Sequence, residues 1–354
     1  MAQRSDEEQD QNDVVTNTKK RRLISSTGTL TSPPILPFDL IAEILCRLPV
    51  KYLLKLRCLG KYWKSLISNP KFAKKHLQSS IKRHHLMVSS MNNLNKFLLY
   101  DSEISSVFSN SIVTQTQISY PVYRKPFGFS SCDGIICFAI DHKCAVLWNP
   151  SIRKIKLLPP LEQYPKKRIP FSIYSFGYDR FIDNHKIIVM TFFIGQNVVS
   201  VNTMGTDYWR RIDDFPFSGP VCGPGVFVSG TVNWLTYDST SISYLPFIVS
   251  LDLEKESYQK LLQPDLENGR WTLGVVRDCL CIVARDRGLR SDAKALYISD
   301  DDQLLINFYE LGSNELDLVV YDSKNGTWKI PDIQNINRLM DPQVYAESLI
   351  SPCF

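Results

Sequence analysis

The sequence predicts an α+β chain in two unequal parts: a small all-α segment of three or four short helices, then an all-β domain of propeller-like build. Three observations carry that expectation. Helical spacing of apolar residues is confined to positions 36–80. Beyond residue 85, short runs rich in Val, Ile, Phe, Tyr and Trp alternate with Gly, Pro, Asn, Asp and Ser, which is strand-and-turn chemistry. Four stretches of the β part also repeat one hairpin-like pattern.

Residues 1–35 read as a disordered tail carrying both charges. Met1–Thr18 has almost no large apolar side chain, too little to offset the entropy of ordering. Lys19, Lys20, Arg21 and Arg22 form a compact basic cluster there, of the kind that serves as a nuclear-import signal or a nucleic-acid patch. The character changes at Pro33-Pro34. Leu40, Ile41, Ile44, Leu45 and Leu48 then form one apolar face at helical period. Pro37 suits a first helical turn, where its missing N–H has no partner to lose. Pro49 ends that helix and starts another. Leu53, Leu56, Leu59, Trp63, Leu66 and Ile67 continue the stripe, and Ser68-Asn69-Pro70 reads as a cap before Phe72–Leu77. Forty residues without disulfide or metal are too few for a self-sufficient core. The segment, bounded at 36–80, should bury its apolar faces against the β domain or another protein.

The β domain is placed at 95–350. Strands are expected at Gly134–Ile140, Ala145–Trp148, Lys186–Ile194, Val198–Val201, Gly225–Val228, Thr231–Tyr237, Phe247–Leu253 and Leu316–Tyr321, with a tight turn of positive φ at Asn325-Gly326. The repeat units start at Cys144, Val198, Phe247 and Leu316. Each runs as a strand ending at Asn149, Asn202, Asp252 or Asp322, a polar turn, a returning strand and a proline exit. Glycine-led strands fall between them, at Gly134, Gly230 and Gly274. The first two intervals match a propeller blade; the third is longer.

Composition narrows the function. The 354 residues are 44% hydrophobic and 22% charged, ordinary for a soluble protein with a substantial core. The longest apolar-rich run, Ile187–Ile194, is far short of a membrane span, and the polar N-terminus lacks a signal-peptide core. The expectation is a protein of the nucleus or cytoplasm, or both, with no membrane partner. Nine cysteines, an odd number with no CxxC pair, argue for free thiols and against zinc; Cys137, His142 and Cys144 are the nearest approach to a metal cluster. No metal and no cofactor is expected. There is no GxSxG, P-loop, HExxH or GxGxxG, so no catalytic residue is assigned. The net charge of +5 is concentrated: residues 37–85 carry +9, the tail 1–36 sums to zero, and the rest carries −4.

The helical segment resembles an F-box. The likeness rests on Leu36-Pro37, Ile44-Leu45-x-x-Leu48-Pro49-Val50, Leu53-Leu54, Leu56-Arg57-Cys58, Lys61-x-Trp63 and Leu66-Ile67-Ser68. Two departures are visible: Leu59-Gly60 stands where a valine and a cysteine are common, and Phe38 where an acid is common. A glycine inside a helix costs about 1 kcal/mol relative to alanine. The β-rich remainder of the chain resembles the F-box-associated (FBA) propeller domain of the plant F-box/kelch-like family, through SSCDGIICF, LWNPSIRKIKLLP, FGYD, VSGTVNWL, IVSLDLEKESYQKL and LVVYDSKNGTWKI. After Ala284 the family's usual Trp-rich strand pair is absent, so about the outer half of one blade is expected to be missing.

The resemblance implies a non-catalytic substrate-recognition subunit of an SCF-type cullin-RING ubiquitin ligase. The box docks on a SKP-family adaptor, and through it on the cullin and RING subunits. The β domain holds a target protein of unknown identity for ubiquitination and degradation. It implies Leu36, Pro37, Ile44, Leu45, Leu48, Pro49, Leu53, Leu56 and Trp63 as adaptor contacts, each with packing inside the box as the other reading. A basic nucleic-acid-binding protein, or a non-ligase F-box scaffold, is the alternative. Against nucleic acid, Lys51, Lys55, Lys61 and Lys64 occupy only the polar side of helices whose other face is apolar.

Overall fold

The computed structural model describes residues 37–79, 83–91, 97–109, 112–119, 126–161, 171–193, 196–237, 246–262, 269–286, 291–310, 316–333 and 339–353. The chain divides into two units, Met1–Ile41 and Ala42–Phe354, and Pro37–Ile41 are the described residues of the first. The tail 1–35, with Lys19–Arg22 and Leu36, lies outside the described residues.

Four short helices come first: α1 (Phe38–Cys46), α2 (Val50–Leu56), α3 (Lys61–Ile67) and α4 (Pro70–Ser79). Prolines and caps set their limits. Pro49 is the N-cap of α2, with extended backbone. Asn69, rather than Ser68, caps α4: its Oδ1 accepts the Lys71 N–H at 2.8 Å. Gly60 also corrects its expected place. It is the extended N-cap of α3, not a residue inside a helix, so the interior-glycine cost does not arise. Leu45, Cys46, Val50, Leu53, Ile67, Phe72 and Ala73 are buried. His76 is buried with them, its Nε2–H donating to the Leu48 carbonyl at 2.8 Å.

The β domain starts earlier than position 95. Strand β1 (His84–Met91) precedes β2 (Phe97–Glu103), a short helix α5 (Ile104–Phe108) and β3 (Thr116–Ile118). The basic, polar run around His84-His85 hides the first strand, because its strand character comes from pairing rather than from apolar alternation. The later strands form meanders: β4 (Phe127–Cys132), β5 (Ile135–Ala139), β6 (Ala145–Asn149), β7 (Lys154–Leu157); β8 (Phe171–Asp179), β9 (Asn184–Phe193), β10 (Gln196–Thr203), β11 (Arg210–Arg211); β12 (Val226–Val228), β13 (Thr231–Tyr237), β14 (Pro246–Asp252), β15 (Ser257–Lys260). A lone hairpin comes next, β16 (Gly269–Val276) with β17 (Cys279–Asp286), then β18 (Ser291–Ile298), β19 (Gln303–Glu310), β20 (Leu316–Asp322) and β21 (Thr327–Lys329). The last strand, β22 (Leu339–Ala346), returns to pair with β1. Among the described residues this is a propeller of five four-stranded blades, β22-β1-β2-β3 being the blade that closes the ring, with the two-stranded sheet β16-β17 between the fourth and last of them in chain order. Among the described residues the β16-β17 sheet has no outer strands, and β17 runs two residues beyond the expected break at Ala284, to Asp286.

Two turn chemistries build the blades. Two-residue turns with positive φ at both positions join inner strands to their neighbours at Asp133-Gly134, Ser229-Gly230 and Arg277-Asp278. Gly274 leads no strand; it lies inside β16. Four-residue loops come after Asn149, Asp179, Asp252 and Asp322. In each the side-chain oxygen accepts N–H bonds from two and three residues ahead, and the last loop residue (Arg153, Asp183, Glu256, Gly326) has positive φ. This loop is the physical basis of the repeat. Asn202 is the exception: its Nδ2 spans a longer loop to the Thr206 and Tyr208 carbonyls. At Asn325-Gly326 only Gly326 has positive φ, so the turn is this four-residue loop rather than a two-residue one.

Adjacent blades share apolar cores, one of them formed by β8–β10 with β13 and β14 around Trp234 and Phe215. One seam is ionic. Lys186 is 5% exposed, with Nζ 2.7 Å from Asp179 Oδ2 and 3.0 Å from Glu256 Oε1, and it donates to the Leu253 carbonyl. Desolvation opposes the Glu256 charge, but hydrogen bonds from Arg210 and Lys186 prevail and hold its pKa below the usual carboxylate range. At the closing blade, His85 Nδ1–H donates to Asp101 Oδ2 at 3.0 Å, the Tyr345 hydroxyl donates to Asp101 Oδ1 at 2.9 Å, and the His85 and Tyr345 rings stack. Burial opposes charge on His85, but the Asp101 hydrogen bond and charge outweigh it and raise the imidazole pKa. The helical segment meets the third blade through an exposed ion pair. Lys74 Nζ lies 2.5 Å from Asp183 Oδ2 and also donates to the Asp183 carbonyl, while the Tyr178 hydroxyl donates to the other carboxylate oxygen.

These contacts set three expected outcomes. Lys186→Ala strands Asp179 without its cation and is expected to lower unfolding stability by about 3–5 kcal/mol in urea melts, with Asp179→Asn recovering part of the loss. The His85–Asp101 contribution is complete below pH 6.5, the unfolded value, and fades as pH rises through the raised folded value. The melting-temperature gap between the native chain and Asp101→Asn should therefore narrow on the alkaline side of that window. Asp183→Ala should speed hydrogen exchange in α4 while leaving the blade amides protected.

Candidate functional site

The helices present an outer surface of large apolar and aromatic side chains. The candidate contacts divide by exposure. Ile44 is 53% exposed on α1, Pro37 is exposed just ahead of it, and Leu48, Pro49, Leu56 and Trp63 are half-buried. Leu45 and Leu53 are buried at 5% and 0%, so they pack inside the chain and offer no surface. Leu36 lies outside the described residues.

Sequence reasoning did not select three further exposed side chains as contacts. Leu59 is 70% exposed, Tyr52 52% and Tyr62 46%. The signal for Leu59 was its departure from the expected valine, which reads as a defect in the sequence and as an accessible apolar side chain in the structure. Tyr52 and Tyr62 sit beside the helical stripe, so apolar periodicity alone does not select them. Cations interleave with these groups: Lys51, Lys55, Lys61 and Lys64 are exposed, and Lys55 Nζ lies 5.7 Å from the centre of the Tyr52 ring. Such a surface suits a partner that supplies apolar pockets and acidic rim groups. Burial pushes the Cys46 thiol up, as expected of a small hydrophobe in the helical core.

A second candidate is a cavity of about 1080 Å³ among β4, β12, β16, β18 and β22. Arg270 and Asp292 form an ion pair at 3.6 Å in its lining, which also includes Tyr237 and Lys294. Burial, then Cys222, pushes the Tyr237 hydroxyl up. Trp271 Nε1 and Asn307 Oδ1, buried in the lining, have no hydrogen-bond partner among the described residues. The cavity offers donors and acceptors suited to holding a polar segment.

The expected nearest metal cluster is not assembled. Cys137 is fully buried, which raises its pKa, and His142 packs between Phe127 and Phe171. The described side chains of His, Cys, Asp and Glu that gather closely enough for a cation are Cys132, Asp133 and His185. No described helix is long and apolar enough to cross a membrane.

Comparison with known proteins agrees with this division of the chain. The F-box domain model matches residues 34–75, and the model of the F-box associated beta propeller domain matches residues 79–298. An F-box/kelch-repeat protein of Arabidopsis thaliana is 27% identical over 92% of this chain and 98% of its own length. The F-box protein CPR1 of the same plant is 26% identical over 70% of this chain and 66% of its own. Among solved structures, YCF48 from Cyanidioschyzon merolae covers 76% of this chain and 94% of its own at 9% identity, with a TM-score of 0.37, too low to add to the fold described above. With the propeller model matching more than half of its length and the box model directly ahead of it, this chain belongs to the F-box proteins that carry an F-box associated β-propeller domain.

Proposed function

We propose that this chain is the substrate-recognition subunit of an SCF-type cullin-RING ubiquitin ligase. The observation that carries the reading is the helical surface: Ile44, Tyr52, Leu59 and Tyr62 stand exposed on a segment too small to bury them itself. A SKP-family adaptor covers that surface and links the chain to cullin and RING subunits. The basic residues around it steer an acidic adaptor. The chain contributes no bond-making chemistry. It holds a target protein against the propeller so that the ligase's transfer machinery acts at high effective concentration. The nucleus, the cytoplasm or both are its compartment.

The test is co-expression with a plant SKP-family adaptor and size-exclusion chromatography at moderate and high salt, beside an Ile44→Asp/Leu59→Asp variant. Both positions are exposed, so the variant keeps the fold. Co-elution of the native chain that survives high salt, and at least a tenfold weaker association of the variant, is the expected result. A folded chain that ignores the adaptor overturns the reading. Binding to nucleic acid that collapses steeply with salt would instead favour the basic-patch alternative.

A further inference from the structure

The two-residue turn between β4 and β5 places Asp133 at positive φ, directly after Cys132. The opposite side of that turn is held by the closing segment of the ring. A Cβ on Gly134 would lie 2.3 Å from Ser348 Cβ and 2.4 Å from the Ala346 carbonyl, so the turn sits in one position. From the next blade, β9 brings His185 to the same point, with an imidazole nitrogen, Nε2, 3.0 Å from Asp133 Oδ2. The imidazole is fixed by a parallel stack on Phe176, with centroids 5.2 Å apart and planes 10° apart, and by the edge of Tyr178. Its backbone N–H is capped by the Asn184 side chain. Cys132 and His185 are 7% and 3% exposed; the Asp133 side chain is 31% exposed, leaving a path from solvent.

We propose that Cys132, Asp133 and His185 form a divalent-metal site that selects zinc. Their donor atoms lie within 4.8 Å of one another. Ligand distances of about 2.0–2.3 Å require donors somewhat closer than that, a contraction within reach of side-chain rotation. One sulfur, one imidazole nitrogen and one carboxylate oxygen form a borderline-soft set that suits zinc and is a poor match for calcium or magnesium. Three ligands leave the fourth tetrahedral position to water on the exposed Asp133 side. Binding replaces the His185–Asp133 hydrogen bond. The thiol proton of Cys132 leaves to solvent, and the imidazole carries its remaining proton on the nitrogen turned away from the metal. Local motif scanning cannot find the site, because Asp133 and His185 are 52 residues apart. Filled, it ties the second blade to the third directly beside the Asp183 loop that receives Lys74 of the helical segment.

Cobalt provides the probe. The full-length chain, freed of metal by chelation, is titrated with Co²⁺ and read by absorption. The expected result is one ion per chain, with thiolate-to-cobalt charge transfer and tetrahedral ligand-field bands, displaced by Zn²⁺. Cys132→Ser should abolish the charge-transfer band. Asp133→Asn should weaken binding about 10–100-fold. Asparagine tolerates the same positive φ and still bonds His185, so circular dichroism of that variant should match the native chain and separates lost ligation from lost fold. Cys58→Ser, an exposed thiol in the helical segment, should change nothing. No stoichiometric binding, an octahedral spectrum, or bands that persist in Cys132→Ser would overturn the proposal.

Discussion

The ring depends on one pairing, the C-terminal strand β22 lying antiparallel against β1. It spans nearly the whole β domain in sequence, with His84 opposite Ala346 and Ser90 opposite Leu339. Closing so long a loop costs little more entropy than closing one half as long, because that cost grows only logarithmically. The gain is a complete four-stranded blade and the loss of two open sheet edges. The consequences spread outward. Leu86 and Val88 join Leu305, Leu318 and Val320 in one core, while Met87 and Leu99 join Phe138, Trp148 and Tyr345 in another. The residues after β22 are then held against the second blade, where Asn149 Nδ2 donates to the Ser348 and Ile350 carbonyls. The same asparagine caps its own loop through Oδ1, so one side chain serves turn and closure together.

The half-blade β16–β17 shows how the ring tolerates a missing part. Without outer strands, β16 leans onto β18: the Thr272 hydroxyl donates to the Ala293 carbonyl, and a Cβ on Gly274 would come within 2.5 Å of the Ala295 carbonyl. Glycine is needed here for close approach rather than for a turn. On its other face the hairpin keeps ordinary propeller packing, with Trp271 and Leu273 buried against Leu235 and Ile248 of the fourth blade. The inner strand therefore remains a member of the ring, and the cavity beside it keeps its wall.

Much of this was legible in the sequence. The helices announced themselves by period, and the strands by composition. The repeat of Asn149, Asp252 and Asp322 recorded one loop whose chemistry demands a side-chain acceptor at that position. The lack of outer strands after β17 was legible through the family resemblance, in which a Trp-rich strand pair usually follows at that point, and the long interval between Asp252 and Asp322 is consistent with it. The failures have physical causes. β1 is a strand because β2 and β22 flank it, and no local pattern encodes a partner more than 200 residues away. Asp179 uses the same loop as the repeat but in another position of its blade, so a periodic search passes over it. At the candidate surface, helical periodicity marks buried and exposed apolar residues alike. It could not separate Leu45 and Leu53, which fill the core, from Ile44 and Leu59, which do not. That distinction exists only once the four helices are packed.

The packing also explains how a small helical segment stays attached without a large interface. Lys74–Asp183 is an exposed pair, and such pairs contribute little to stability. Hydrogen bonds from Lys74 first and then Tyr178 hold its carboxyl below the usual carboxylate range. A second tether uses the backbone: Arg83 reaches the Arg47 carbonyl with its guanidinium, while its own carbonyl accepts the Glu347 N–H just beyond β22. Ring closure thus anchors the link that leaves the helical segment. These weak, directional contacts hold the segment while leaving Ile44, Tyr52, Leu59 and Tyr62 uncovered among the described residues. A broad apolar interface with the propeller would hold it more tightly, but would bury the side chains that a partner has to reach.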